Sequence, residues 1–227
     1  MISRTFIIGD VHGCAATLRR LVTELLQPLP GDHIYLLGDL IDRGPDSKGV
    51  LDFIFELTES GIDIRSIRGN HEDMLLKSGI DKNNFDTWIS NGGQATLDSF
   101  GVTRPADIPP RYRDFLALLP FFYILDDFII VHAGFDFDLT YPFDDTEAML
   151  WTRSSDVDLR RTVGRRLICG HTPVTRREME ASLTRNKIML DNGCVFGSLP
   201  ESGNLAALDL ENMKLILQPN IDIQPEG

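Results

Sequence analysis

The sequence predicts an α/β (α+β) fold, because strand-like and helix-like segments alternate through its first half and strand-like segments dominate its second half. Three short apolar runs, at 5–8, 34–37 and 64–67, each end in a polar loop that precedes a segment of helical periodicity. This rhythm is typical of βαβ units, in which every loop lies at the carboxyl end of its strand. Open α/β sheets place their chemistry in such loops.

The three loops carry charged and imidazole side chains between glycines. The first is Gly-Asp-Val-His-Gly at 9–13, and the helix after it is stopped by the proline- and glycine-containing stretch 28–31. The second is Gly-Asp-Leu-Ile-Asp-Arg-Gly at 38–44, followed by an amphipathic helix that closes near Gly61. The third is Arg-Gly-Asn-His-Glu at 68–72. The carboxylates and arginine of the second loop can bind a metal, pair with a base and hold a phosphate.

After the third loop the chain is predicted to leave the sheet in a largely helical excursion, at about 73–119, whose loops are marked by asparagine, glycine and proline. The second half is predicted to be mainly β. A hairpin that turns at 126–127 leads into His132, and later strands lead into His171 and Asp191.

Closing strands are expected at 205–208 and 215–217, and the tail from Pro219 is expected to fray. No Gly/Ser linker or block of like charge divides the chain. Residues 1–227 are therefore predicted to form a single domain.

The composition argues against several classes of partner. A net charge of −12 and a pI near 4.8 oppose binding to nucleic acid or to an anionic membrane, so neither is expected. No stretch has the pattern of a signal peptide or a membrane span, which predicts a cytoplasmic protein. The three cysteines are Cys14, Cys169 and Cys194, and no two of them form a C-x-x-C motif. They are expected to be reduced, buried thiols.

Four of the five histidines lie directly after an apolar run or within a glycine-bounded loop, namely His12, His71, His132 and His171. One histidine in such a place is more often structural than a ligand, and His33, which opens a strand, is given that role. Four of them, together with Asp10, Asp39 and Asn70, indicate a buried cluster that requires a cation. Carboxylate, imidazole and amide donors without thiolate favour Mn, Fe, Zn or Co, and their number suits two ions that share a carboxylate.

Two-metal sites characteristically hydrolyse phosphate esters. The metal pair lowers the pKa of a bound water from about 15.7 toward 7 and clamps the oxygens of an in-line displacement. Phosphoryl oxygens also need cationic donors, for which Arg43 and Arg153 are candidates. The leaving alkoxide needs a proton, which His71 could supply.

The chain resembles the phosphoprotein phosphatase (calcineurin-like) metallophosphoesterases, whose signature is G-D-x-H-G, G-D-x-x-D-R-G and G-N-H-E. All three blocks match at every fixed position; Gly38 follows Gly13 by 25 positions, and Gly69 follows Gly44 by the same interval. In the helical excursion only Trp88 and Asn-Gly-Gly at 91–93 match. Downstream blocks resemble the compact bacterial and lambda-phage branch of serine/threonine phosphatases, at 132–134, 151–153, 170–173 and 191–193.

The resemblance implies a β-sandwich of two mixed sheets flanked by helices. It also implies a dinuclear, metal-dependent serine/threonine protein phosphatase, with dual specificity for phosphotyrosine as an extension. Two divalent ions are expected, with manganese favoured and iron, zinc or cobalt as alternatives. By resemblance, the first ion would be bound by Asp10 and His12, both ions by Asp39, and the second by Asn70, His132 and His171.

The resemblance further makes His71 the general acid, oriented by Asp42, while Glu72 would support the site without reacting. The phosphate would be held by Arg43, Asn70 and Arg153. Two structural alternatives stay open: a turn salt bridge formed by Asp39, Asp42 and Arg43, and a surface position for Arg153.

Two other functions stay open as well. The same residues serve symmetrical diadenosine tetraphosphate hydrolases, so a dinucleoside polyphosphate is the alternative to a phosphoprotein or phosphopeptide substrate. An inactive module that binds phosphorylated proteins would have lost ligands or the acid, and this sequence retains them. The short chain and the Trp-x-Arg block at 151–153 favour the protein phosphatase. The oligomeric state is not predicted.

Overall fold

Two β-sheets form the centre of the fold in the computed structural model, which describes residues 3–196 and 201–223. The strands are β1 (Thr5–Ile8), β2 (His33–Leu36), β3 (Asp63–Ser66), β4 (Phe122–Ile124), β5 (Phe128–Val131), β6 (Arg166–Cys169), β7 (Lys187–Met189), β8 (Asn204–Asp209) and β9 (Lys214–Pro219). The first sheet has the order β3-β2-β1-β8-β9, with β8 and β9 antiparallel to their neighbours. The second has the order β4-β5-β6-β7, in which β4 is antiparallel. Both sheets are mixed, as predicted.

Side chains between the two sheets form one layer of the core. Ile7 and Tyr35 of the first sheet, with Leu37 directly after β2, share a buried cluster with Ile130 and Ile168 of the second. Alternate residues point to the opposite face, as the two-residue period of a strand requires, and pack in another cluster that includes Phe6, Ile8, Ile34 and Leu36. The predicted β-sandwich flanked by helices is confirmed.

The helices are α1 (Ala15–Arg20), which continues into a π-helical turn (Leu21–Leu26), α2 (Ser47–Glu59), α3 (Asn70–Lys77), α4 (Lys82–Trp88), α5 (Gln94–Phe100), α6 (Pro110–Leu118), α7 (Thr146–Trp151) and α8 (Arg176–Ser182). Helices α1 and α2 connect β1, β2 and β3, so the predicted βαβ units are present. Helices α3 to α6 occupy the predicted excursion. Within the described ranges, every helix falls short of the length and apolar character that a membrane span requires. The single-domain assignment stays a prediction.

The expected fraying after Pro219 is wrong for residues 220–223, and the residues that follow lie outside the described ranges. The carboxylate of Asp222 accepts hydrogen bonds from the backbone N–H groups of Ala16 at 2.9 Å and Thr17 at 2.8 Å. These N–H groups belong to the first turn of α1 and have no partner inside the helix. Asp222 therefore caps a helix that begins about two hundred positions earlier in the chain.

We expect Asp222→Ala to lower the free energy of unfolding by about 1 kcal/mol, because two helical N–H groups lose their acceptor. Urea denaturation measures the change. The matched control is Asp126→Ala, since Asp126 is exposed and its side chain makes no hydrogen bond among the described residues. An equal loss in both variants would assign the effect to net charge and contradict the cap.

Candidate metal centre

The predicted site residues follow the carboxyl ends of strands. Asp10 comes after β1 and Asp39 after β2, while Asn70 begins α3 after β3. His132 directly follows β5, and His171 follows β6. The parallel registers of β1, β2 and β3, and of β5 and β6, align these strand ends, so the loops meet at one edge of the sandwich.

Asp39 belongs to two groups of side chains that could each hold a metal ion. One group is His12, Asp39 and His71, and the other is Asp39, His132 and His171; within each group the ligand atoms lie within 4.8 Å of one another. Asp39 Oδ2 is 3.5 Å from His12 Nε2, and Asp39 Oδ1 is 3.5 Å from His132 Nε2. The two oxygens of one carboxylate thus face different histidines, which is the arrangement that a bridging ligand needs.

Hydrogen bonds on the far side of the rings direct unprotonated nitrogens toward Asp39. His12 Nδ1–H donates to the carbonyl oxygen of Ile41 at 3.1 Å, and His132 Nδ1–H donates to that of Leu37 at 2.7 Å. Because a carbonyl oxygen only accepts, Nδ1 carries the proton in both rings and Nε2 keeps its lone pair. Burial lowers the pKa of both histidines, that of His12 to about 3, so the neutral rings persist.

Asn70 and His171 complete the second group. Asn70 Oδ1 is 2.8 Å from His132 Nε2 and 3.0 Å from His171 Nδ1. His171 Nε2 is buried and has no hydrogen-bond partner among the described residues, and burial lowers the pKa of His171 to about 3. With the one proton of neutral His171 on Nδ1, toward Asn70 Oδ1, the lone pair of His171 Nε2 stays free beside that of His132 Nε2. A divalent cation fits this set of oxygen and imidazole donors.

Three further carboxylates are buried beside these groups. Asp10 lies outside the two metal-capable groups, and its oxygens accept the backbone N–H of His171 at 3.0 and 3.2 Å. Burial, and then the negative charges of Asp191 and Asp39, hold the pKa of Asp10 well above its usual value. Burial also raises the pKa of Glu72 and that of Asp191 to about 7. So much buried negative charge is costly unless a cation compensates it.

Glu72 holds the backbone of the loop that carries Asp39. Its carboxylate accepts N–H groups from Asp39 at 2.9 Å, Leu40 at 2.8 Å and Gly69 at 2.8 Å. These contacts fit the supporting role expected for Glu72. They fix the position of the shared carboxylate from the start of α3.

His71 and Asp42 form a buried pair against the first group. His71 Nδ1–H donates to Asp42 Oδ2 at 2.8 Å. His71 Nε2 is 4.0 Å from Asp39 Oδ2 and has no hydrogen-bond partner within residues 3–196 and 201–223. Burial opposes protonation of His71, but the charges of Asp39 and Asp42 outweigh burial and raise its pKa. The ring is therefore held with Nε2 toward the cluster.

Trp88 and Thr96 fix Asp42 in turn, a role that was not predicted for either. Trp88 Nε1–H donates to Asp42 Oδ2 at 2.8 Å, and Thr96 Oγ1–H donates to Asp42 Oδ1 at 2.6 Å. Gly93 makes room for the indole, because a Cβ at that position would lie 2.4 Å from the ring of Trp88. The signal in the sequence was the tryptophan followed by Asn-Gly-Gly at 91–93.

The two predicted phosphate-binding arginines differ in position. Arg43 is exposed, and its Nη1 donates to His12 Nε2 at 2.8 Å, so it contacts the cluster and makes no salt bridge with Asp42. Arg153 is exposed, and its side chain makes no hydrogen bond or ion pair among the described residues. Burial has the larger effect on the pKa of His171, and the positive charge of Arg153 lowers that pKa further. Arg153 therefore lies at the rim of the site.

We expect the metal-free protein to lose stability between pH 6.5 and pH 8. His71, Glu72 and Asp191 have raised pKa values, so the native state binds more protons than the unfolded state in this range and the free energy of unfolding falls as pH rises. The lowered pKa values of His12, His132 and His171 oppose this trend mainly below about pH 7, where unfolded histidines become protonated. The loss should be about 1–3 kcal/mol, measured by thermal unfolding of chelator-treated protein.

Asp191→Asn should reduce this pH dependence, because it removes one of the raised pKa values while keeping an acceptor for the Gly193 N–H. Asp126→Asn, at an exposed turn, should leave it unchanged. Stability that stays level or rises across the range would contradict the assignment.

Comparison with known proteins connects this geometry to a family. The chain matches the calcineurin-like phosphoesterase family over residues 3–198. It is 30% identical over 203 residues to Serine/threonine-protein phosphatase 1 of Salmonella typhimurium, with 85% of this chain and 87% of that protein covered. It is 26% identical over 242 residues to the asymmetrical bis(5'-nucleosyl)-tetraphosphatase PrpE of Geobacillus thermodenitrificans, with 94% and 93% covered.

A symmetrical bis(5'-nucleosyl)-tetraphosphatase of Pectobacterium atrosepticum is 41% identical over 81 residues, which cover 35% of this chain and 28% of that protein. Among solved structures, a serine/threonine phosphatase of Saccharomyces cerevisiae has the same fold, with a TM-score of 0.71 at 13% identity over 99% of this chain and 82% of that chain. Since the family match includes every strand end of the site, the chain belongs to the calcineurin-like metallophosphoesterases.

Proposed function

We propose that this metallophosphoesterase is a protein phosphatase that hydrolyses phosphoserine and phosphothreonine esters, with phosphotyrosine as a further substrate. The observation that carries the proposal is the carboxylate of Asp39, shared by two metal-capable groups, with His71 Nε2 4.0 Å from it. We assign the first ion to other residues, so that His71 Nε2 is left to act as the proton donor. Two cations and a proton donor meet the requirements of phosphomonoester hydrolysis.

The proposed centre holds two divalent ions. Oxygen and imidazole donors without thiolate favour manganese, with iron, zinc or cobalt as alternatives. When bound, the pair supplies Lewis acidity to the phosphoryl oxygens and lowers the pKa of water. We assign the first ion to Asp10 and His12, both ions to Asp39, and the second ion to Asn70, His132 and His171.

The side chains of the chain itself handle the proton and the phosphate. The raised pKa of His71 favours the protonated ring near neutral pH, and Asp42 holds that ring through Nδ1. The proton on Nε2 is then available to the leaving oxygen of the substrate. The donors for the phosphoryl oxygens are Arg43, Arg153 and Asn70, and guanidinium groups fit such oxygens in pairs.

A phosphoprotein substrate is supported by the similarity to the Salmonella phosphatase over most of both chains and by the Trp-x-Arg block at 151–153. The similarity to the Geobacillus tetraphosphatase, also over most of both chains, supports the alternative, a dinucleoside polyphosphate. An inactive binding module has no support, because the predicted ligands and acid are all retained in the sequence. A cytoplasmic location is part of the proposal, in keeping with free, buried thiols at Cys14, Cys169 and Cys194.

The substrate is tested on manganese-loaded protein with a phosphoserine peptide and diadenosine tetraphosphate. We expect kcat/KM for the peptide to exceed that for the dinucleotide by about tenfold or more, as selection by a dedicated site allows. The reverse order would favour the alternative. Two ADP molecules as products would then indicate symmetrical cleavage, and ATP with AMP asymmetrical cleavage. Repeating both assays with Fe, Zn and Co ranks the metals by the activity that each supports.

The acid role of His71 is tested by His71→Asn, which should lower kcat for the phosphoserine peptide by about 10²–10⁴. The loss should be much smaller for p-nitrophenyl phosphate, whose leaving group needs little protonation. His33→Asn is the matched control, because His33 bonds Asp63 away from the site and should have little effect on either rate. Equal losses for the two substrates would refute the acid role.

A further inference from the structure

A cavity of about 340 Å³ lies beside the metal centre. Its wall includes Gly170 and Thr172, which flank His171 in the chain, and Arg153 at the rim of the site. The remaining charged residues of the wall are Arg185, Lys187 and Asp156. The cavity therefore opens next to the second group of candidate ligands.

The cavity is cationic although the protein is acidic. Three cations and a single carboxylate line it, on a chain whose net charge is −12. Within the described ranges, no ion pair involves Arg153, Arg185 or Lys187. Charges that lack a carboxylate partner and line a concave wall attract anions, because the cavity focuses their field.

Lys187 forms a fixed part of this wall. Its Nζ donates to the carbonyl oxygen of Ala133 at 2.7 Å and to that of Ser154 at 2.8 Å. These two carbonyls directly follow His132 and Arg153, so the ammonium group ties the loop of a candidate ligand to the loop of a phosphate-binding arginine. An ammonium group has three N–H donors, which leaves one for a ligand.

The wall of the cavity is continuous with the loops of the metal centre. Gly170 and Thr172 flank His171, and Lys187 Nζ contacts the residue that follows His132. Arg185 is an exposed residue of the same wall, and its side chain makes no hydrogen bond or ion pair among the described residues. Glu178 forms no ion pair with Arg185; its carboxylate accepts hydrogen bonds from the backbone N–H and the hydroxyl of Thr175.

We propose that this cavity is a second anion subsite, in which Arg185 and Lys187 bind a negatively charged group that the substrate carries beside the phosphate to be removed. The proposal rests on the proposed function and defines its substrates more closely, as those with two neighbouring anionic groups. That second group is a carboxylate in an acidic phosphopeptide and a phosphate in a dinucleoside polyphosphate.

The test uses Arg185→Gln, with Arg177→Gln as the matched control. Arg177 is exposed on α8, forms no ion pair among the described residues and does not line the cavity, so both variants change the net charge equally. The substrates are two phosphoserine peptides that differ only in glutamate or glutamine beside the phosphoserine. Diadenosine tetraphosphate tests the polyphosphate source, and p-nitrophenyl phosphate reports the basal activity.

In wild type and in Arg177→Gln we expect a KM about three- to tenfold lower for the glutamate peptide than for the glutamine peptide, the range for a partly exposed charge-assisted contact. Arg185→Gln should abolish this preference and leave kcat for p-nitrophenyl phosphate unchanged. If the variant instead raises only the KM for diadenosine tetraphosphate, the subsite stands and its anion is a phosphate. The proposal is overturned if Arg185→Gln keeps the preference for the glutamate peptide and leaves the KM for diadenosine tetraphosphate unchanged.

A binding measurement separates this proposal from the proposed function. Calorimetry with inorganic pyrophosphate on chelator-treated protein needs no catalysis. We expect Arg185→Gln to weaken binding about three- to tenfold relative to Arg177→Gln. Equal binding by both variants overturns the subsite even in an active phosphatase. Weaker binding by Arg185→Gln, in a protein that hydrolyses none of the substrates with any metal, leaves the subsite standing and removes the proposed function.

Discussion

The structure is arranged around atoms that can only accept hydrogen bonds and that meet in a buried space. Asp39 Oδ1 and Oδ2 lie 3.5 Å from Nε2 of His132 and His12, and both rings already donate Nδ1–H to backbone carbonyls. Neither ring has a proton to give to the carboxylate, and burial keeps both neutral. The donor set is therefore organised before any cation arrives. Arg43 and His71 bring positive charge to one side of it, and a bound cation would compensate the remaining buried negative charge.

Bringing these atoms together puts strain on the backbone. Of the nine non-glycine residues with positive φ in the described ranges, five belong to the candidate site, at His12, Asp39, Asp42, Arg43 and His171. Each such residue costs on the order of 1–3 kcal/mol, and this persists only where the surroundings enforce it. Here the enforcing contacts include the three N–H groups bound by Glu72 and the bond from Arg43 N–H to the carbonyl of Gly92 at 3.1 Å. The strained residues lower the stability of the folded state, and the contacts around them keep the site in one conformation.

The sequence predicted the location of candidate site residues best where those residues directly follow strands. Glycine-bounded polar blocks after apolar runs marked the loops of Asp10, Asp39 and Asn70 correctly, and the structure brings these residues together, although their individual roles stay predictions. The stacking of the two sheets came from the family resemblance, because a two-residue period says which face is buried but not what covers it. The contact of Trp88 with Asp42 spans 46 positions, and a buried tryptophan in a helical stretch has the same pattern as any core residue. The attachment of Asp222 to α1 was missed because its partners lie 205 and 206 positions away and no local pattern connects them.

The cap on α1 also sets an order of events during synthesis. Helix α1 begins directly after the loop that carries Asp10 and His12, while Asp222, which caps it, follows β9. A nascent chain therefore exposes this loop and the first turn of its helix to water while most of the protein is still being translated. The carboxylate reaches the helix only when β8 has paired with β1 and β9 has paired with β8. The first turn of the helix that follows this part of the site thus gains its acceptor only after nearly all of these residues have been made.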